Sequence, residues 1–158
     1  MVFNFHNSLR ETMISILLVE DNPAEARLTE EALRESGLLY ELVVVTDGEM
    51  ATEYLRKEKR FTDAKAPSLV LLDLNLPRKN GREVLSEIKA DPELCMIPVI
   101  VVSNSRRRED IDEVYRLKGN SYLSKSASLD DWFSAIRSLV EFWCLRAQLP
   151  GAESVLEC

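Results

Sequence analysis

The chain has 158 residues, of which 46% are apolar, and a net charge of −7 from 27 acidic and 20 basic side chains. The apolar share excludes a disordered chain, and the length is enough to bury one core. The acidity argues against non-specific nucleic-acid binding, whose affinity comes from neutralising phosphates. No window approaches the roughly 18 to 20 consecutive apolar residues of a membrane helix. Met1 to Arg10 lacks the basic region, apolar core and cleavage site of a signal peptide. The expected organisation is a lead-in over 1–13 carrying the only histidine, His6, one domain over 14–148, and a short tail over 149–158.

Strand-like and helix-like patterns alternate five times. Ile14 to Val19 is an apolar run stopped by Glu20-Asp21-Asn22-Pro23. An Asp or Asn cap followed by proline starts a helix, which carries Ala24, Leu28 and Ala32 on one stripe and ends at Gly37. Leu42 to Thr46 reads as a second strand, and Asp47-Gly48 turns it into a helix bearing Met50, Ala51, Tyr54 and Leu55. A charged linker from Arg56 to Pro67 leads into Ser68-Leu-Val-Leu-Leu-Asp73. Such an unbroken apolar run predicts a strand covered on both faces, with Asp73 at its carboxyl edge.

A third helix follows Gly81, with Val84, Leu85 and Ile88 inward, and Asp91-Pro92 closes it. Pro98 to Ser103 is strand four, and Ile111, Val114 and Tyr115 mark a short amphipathic helix. Ser121 to Ser124 is strand five, and Ser128 with Asp131 three residues on resembles a helix start. The order implies an α/β fold, a parallel sheet with right-handed crossovers and helices on both faces.

Leu129, Trp132, Phe133, Ile136, Leu139, Val140 and Trp143 give the last helix a core face, while Phe142, Leu145 and Leu149 add apolar surface outside it. A helix apolar on more than one side is covered by something: a second subunit, or the N-terminal lead-in. Arg106-Arg107-Arg108 reads as a solvated loop. Cys95, Cys144 and Cys158 have no CxxC neighbour or ligand-spaced histidine, so reduced thiols in a cytosol are expected.

Glu20-Asp21, Asp73, Ser103 and Lys125 each fall just past the carboxyl end of a strand, where open α/β sheets keep their ligands. Close carboxylates repel one another unless a cation intervenes, and the economical cation is Mg²⁺, a hard ion that takes oxygen donors. A carboxylate so held beside a lysine is poised to attack a phosphoryl group, with Lys125 and the Ser103 hydroxyl meeting the charge. One acid at a strand end is more often a helix cap. The whole set at successive strand ends is not explained that way.

Leu-Leu-Val-Glu20-Asp21, Leu-Leu-Asp73-Leu-Asn75-Leu-Pro77 through Gly81, Pro98-Val-Ile-Val-Val-Ser103 and Tyr122-Leu-Ser-Lys125 together resemble a response-regulator receiver domain of two-component signalling. The resemblance spans about Ile14 to Gln148. It implies a flavodoxin-like five-stranded parallel sheet of order 2-1-3-4-5. It also implies Asp73 as phosphoacceptor for a histidine kinase. Asp21 would ligate Mg²⁺ directly, Glu20 mostly through water, and the backbone carbonyl of Asn75 would be a further ligand beside Asp73. Lys125 would hold the phosphoryl oxygens, and Ser103 with Tyr122 would form the switch pair.

Leu-Asn-Leu-Pro-Arg-Lys-Asn-Gly-Arg-Glu-Val-Leu, Lys125-Ser126, Glu141-Phe-Trp143 and Leu149-Pro150 resemble the small regulators paired with cyanobacterial and bacterial phytochromes, which dimerise through their C-terminal side. This implies a phytochrome kinase partner and a homodimer through Phe142, Leu145 and Leu149. Eight residues follow Pro150, too few for a DNA-binding module, so output by docking, dimer exchange or relay to a phosphotransfer protein is expected. No enzyme activity beyond auto-dephosphorylation is expected.

Two departures from the family pattern stand out. Ser126 replaces the usual proline after the lysine, leaving a cis or trans Lys125–Ser126 bond open. Asn104 replaces a small residue, and Asn75 and Ser105 flank the path of hydrolytic water, so the acyl-phosphate lifetime is open. A haloacid-dehalogenase-like phosphohydrolase needs an aspartate where Asn75 stands, and a nucleotide or flavin site needs a glycine-rich loop after strand one. A receiver-like scaffold without phosphorylation, acting through its C-terminal helix, is the remaining alternative.

Overall fold

The computed structural model describes residues 13–125 and 127–150. His6, Cys158 and the Lys125–Ser126 bond therefore lie outside the described residues. Five strands form one parallel sheet: β1 (Ile14–Val19), β2 (Tyr40–Val45), β3 (Leu69–Asp73), β4 (Val99–Ser103) and β5 (Ser121–Ser124), in the order β2-β1-β3-β4-β5. The helices are α1 (Pro23–Glu35), α2 (Gly48–Arg56), α3 (Gly81–Ala90), α4 (Arg108–Arg116) and α5 (Leu129–Val140), the last continuing into a π-helical turn over Glu141–Arg146. This is the flavodoxin-like order expected above.

Burial explains the pattern. Every residue of β3 and β4 is buried, as unbroken apolar runs require of central strands. Alternate residues feed two cores. Leu17, Val19, Val70, Leu72, Val99 and Val101 pack with α2, α3 and α4, while Ile16, Leu18, Leu69, Leu71, Ile100 and Val102 pack with α1 and α5. The edge strands β2 and β5 are only partly covered.

Four sequence expectations are corrected. Strand two begins at Tyr40 and ends at Val45, because its register with Ile14 to Val19 runs that far and no further. The linker from Arg56 to Pro67 contains a short 3₁₀ turn at Lys59–Phe61, where Phe61 packs edge-on to Tyr54. Tyr115, expected on the inward stripe of helix four, is 49% exposed, and in α4 only Val114 is buried. Leu129, expected on the core face of the last helix, is 57% exposed, because it is the first residue of α5 and burial begins one turn later at Trp132.

Local signals place the strand-end loops. The Asn22 side chain accepts the backbone N–H groups of Ala24 and Glu25, and Pro23 fills the first helical position, so α1 starts directly above the end of β1. Asn80 and Glu83 make a reciprocal capping box that starts α3. Gly81 then seats α3 on the end of β3: its N–H donates to the Leu74 carbonyl, and a Cβ there would lie 2.2 Å from the Asp73 carbonyl oxygen. Gly81→Ala is accordingly expected to cost about 1–3 kcal/mol by overpacking. Urea unfolding checks this, and an unchanged midpoint would show that the close approach is not a constraint.

Candidate functional site

Glu20, Asp73 and Ser103 are the end residues of three adjacent strands or lie one residue beyond them, and all three are buried. Lys125, one residue past β5, reaches across to them with 9% of its side chain exposed. Its ammonium donates to Glu20 Oε2 at 2.7 Å, to Asp73 Oδ2 at 2.9 Å and to Glu25 Oε2. The backbone N–H of Lys125 donates to the Ser103 carbonyl at 2.8 Å, which ties the lysine loop to β4. The structure thus brings the side chains of Glu20, Asp73 and Lys125 together, while Ser103 joins them through its backbone carbonyl and its hydroxyl accepts the Ser105 N–H.

Other expected residues stand apart from that contact. Asp21 is exposed and makes none of the hydrogen bonds described for the cluster. Asn75 meets the site through its N–H, which donates to Asp73 Oδ1 at 2.9 Å. Tyr122 is half-buried on the α4 side of the sheet, and its hydroxyl donates to the Ser105 carbonyl at 2.7 Å. Phe142 and Leu145 are 56% and 58% exposed, and Leu149 is half-buried.

Glu25 is the residue that sequence reasoning missed. It lies in the first turn of α1, where an acidic residue is ordinarily a complement to the helix dipole. The Asn22 cap turns that helix back over the strand end, and Glu25 thereby joins the lysine. One carboxylate oxygen from each of Glu20, Glu25 and Asp73 can be chosen so that all lie within 4.8 Å of one another. Hard oxygen donors this close suit a divalent cation such as Mg²⁺ or Mn²⁺.

The electrostatics follow from one ammonium serving three carboxylates. Burial, with the Asp73 charge adding to it, pushes the Glu20 carboxyl up to about 7 against the pull of Lys125 and the Asn22 N–H. Partial burial works against ionised Glu25 too, but the Lys125 hydrogen bond and charge outweigh it and hold Glu25 below the ordinary range. Burial likewise opposes the Lys125 ammonium, and hydrogen bonds to Glu20, Glu25 and Asp73 overcome it, so its pKa is raised. Without a metal, the cluster is therefore a site that holds an extra proton near neutral pH.

Beside the lysine opens a cleft of about 120 Å³, with Leu28, Leu129 and Trp132 on its apolar side and Glu25, Asn104 and Lys125 on its polar side. A larger cleft, about 460 Å³, lies at the opposite edge of the sheet between Leu55, Ser68 and Met96, and holds none of the clustered acids. Among the described residues, no helix is long and apolar enough to cross a membrane.

A buried aspartate at the end of the central strand, with a second buried acid and a lysine bonded to both, is the arrangement of a receiver domain. Residues 16–137 match the response regulator receiver domain, and the chain belongs to that family. Within it, the chain is similar to phytochrome response regulators. It is 43% identical over 137 residues to the response regulator Rcp1 of Synechocystis sp., covering 87% of this chain and 93% of that protein. The fold superposes with a TM-score of 0.84 on the phosphorylated cyanobacterial phytochrome response regulator RcpA, 49% identical, over 87% of this chain and 99% of that one. Against the Mn²⁺-bound form of Rcp1, 42% identical, the TM-score is 0.83 with the same coverages.

Proposed function

We propose that the protein is a phosphorylation switch in which Asp73 accepts a phosphoryl group from the phosphohistidine of a histidine kinase, a phytochrome in view of its relatives. The observation that carries this reading is the Lys125 ammonium, buried at the strand ends and donating to Asp73 Oδ2 at 2.9 Å. An Asp73 oxygen attacks phosphorus as the bond to the donor imidazole nitrogen breaks, the electron pair leaves with that nitrogen, and an acyl phosphate remains on Asp73. Lys125 supplies a fixed positive charge beside the attacked group, in a site that needs no reorganisation when charge develops. Ser103 supplies a hydroxyl to a phosphoryl oxygen, and Tyr122 on β5 follows its movement.

Glu20 and Asp73, with Asp21 and the Asn75 carbonyl at the same strand ends, would hold Mg²⁺. Such an ion would supply positive charge to neutralise the phosphoryl oxygens. Glu25 keeps the lysine engaged until then. At the other end of the signal, Phe142, Leu145 and Leu149 form an apolar surface suited to a homodimer, and the protein acts in the cytoplasm by contact with other proteins.

The test is intact-mass detection of phosphoryl incorporation from acetyl phosphate, with size-exclusion chromatography on the same samples. Wild type with Mg²⁺ takes one phosphoryl group, and Asp73→Asn or removal of Mg²⁺ abolishes it. Phe142→Ser with Leu145→Ser shifts the protein to monomer. A wild type that takes no label sinks the phosphorylation reading in favour of a scaffold, and a double variant that elutes unchanged sinks the interface.

A further inference from the structure

Ser105 is bonded in four directions. Its N–H donates to Ser103 Oγ at 3.2 Å, and its hydroxyl donates to Asp110 Oδ2 at 2.5 Å. Its carbonyl accepts from the Tyr122 hydroxyl, and its Oγ accepts the Arg107 N–H at 3.3 Å. Asp110, in the first turn of α4, is held from its other side by Arg82, whose Nη2 lies 2.7 Å from Oδ1. The Arg82 Nε donates to Glu113 at 2.6 Å, one turn further along α4. Arg82 follows Gly81, the residue that seats α3 on the Asp73 backbone. A continuous chain of bonds therefore runs from the buried Ser103 hydroxyl, through Ser105 and Asp110, to a post fixed on the acceptor strand.

We propose that Ser105 and Arg82 are positioning residues forming a latch that couples the Ser103 hydroxyl to helix α4. The proposal rests on the reading of Asp73 as phosphoacceptor. While Ser103 Oγ accepts the Ser105 N–H, the loop is held, Asp110 stays between Ser105 and Arg82, and α4 is locked against α3. When the Ser103 hydroxyl turns to a phosphoryl oxygen, the Ser105 N–H loses its acceptor. The hydroxyl and carbonyl of Ser105 are on the same residue, so the Asp110 and Tyr122 bonds loosen with it. The surface that changes is then the first two turns of α4, pinned in the unmodified protein by the Arg82 ion pairs from the α3 side. Removing the latch favours the arrangement that phosphorylation needs, so it speeds phosphorylation, whereas mere structural damage would not.

The experiment follows acetyl-phosphate incorporation and backbone hydrogen exchange of residues 108–116 in wild type, Arg82→Ala, Ser105→Ala and Ser105→Thr. Arg82→Ala and Ser105→Ala are expected to take label about fivefold faster or more. Before any phosphorylation, their α4 exchange should already match that of phosphorylated wild type. Ser105→Thr, which keeps the hydroxyl, restores both values. A labelled wild type with variant rates unchanged or slower overturns the latch alone. A wild type that takes no label overturns the latch together with the acceptor reading.

Discussion

Replacing Lys125 with methionine is expected to lower metal-free stability at pH 8 by about 3 kcal/mol, because it leaves buried carboxylates without their counter-charge. Glu20 and Asp73 are almost fully buried, and both spend an oxygen on this ammonium. Glu25, one-third exposed, can turn to water and contributes less. The same substitution should slow phosphoryl transfer to Asp73 by about 10²-fold or more, the order found when a preorganised charge-stabilising group is removed. Saturating divalent metal should recover much of the lost stability and little of the lost rate, since an ion can neutralise the acids without occupying the lysine's place. Chemical denaturation with and without Mg²⁺, beside a labelling time course, checks both parts. Full recovery of the rate by metal would remove Lys125 from the transfer step.

The second large effect is on pH. Divalent-metal affinity is expected to rise about tenfold per pH unit up to about pH 7 and then level off, because the ion must displace the proton held by Glu20. Below pH 7 binding should release close to one proton, measurable by titration calorimetry in buffers of different ionisation enthalpy. Metal-free stability runs the opposite way. The folded Glu20 pKa of about 7 lies above the ordinary 4.5, so its contribution is fully present below about pH 4.5 and lost as pH rises through 7. That loss is on the order of 3 kcal/mol.

Glu25 has a lowered folded pKa, so its contribution is present above 4.5 and lost as pH falls through the folded value. Lys125, whose folded pKa is raised above 10.5, contributes throughout this range and loses its effect only in strong base. The metal-free protein is therefore most stable in mildly acid solution, and Glu20→Gln flattens the decline toward pH 8. An affinity and a stability that are both flat from pH 5.5 to 8 would contradict a proton held by Glu20.

Which parts of this could be read in the residues alone follows from the physics of each. The central strands were legible because burial on both faces demands an unbroken apolar run, and Leu69 to Leu72 and Val99 to Val102 supply one. The strand ends were legible because Asn22-Pro23 and Asn80-Gly81 are chemically specific starts to helices. Glu20, Asp73, Ser103 and Lys125 could be placed together because the topology sends every strand's carboxyl end to one edge.

Glu25 was hidden because an acid in a first helical turn is ordinary, and only the packing of α1 over β1 turns it onto the lysine. Arg82 and Asp110 were hidden for a related reason. Contacts between residues 28 and 31 positions apart leave no periodic trace in a single sequence. Leu129 and Tyr115 are exposed near the ends of their helices, where hydrophobic spacing does not tell which residues the sheet still covers.

The most direct measurement of the central claim is the position of the phosphoryl group itself. Wild type labelled with acetyl phosphate and Mg²⁺, then reduced with borohydride to convert the acyl phosphate to a stable alcohol, is digested and sequenced by tandem mass spectrometry. The reduced residue is expected at Asp73 alone, and is absent when Mg²⁺ is removed. Modification at Glu20, Glu25 or a hydroxyl residue, with Asp73 untouched, would contradict it.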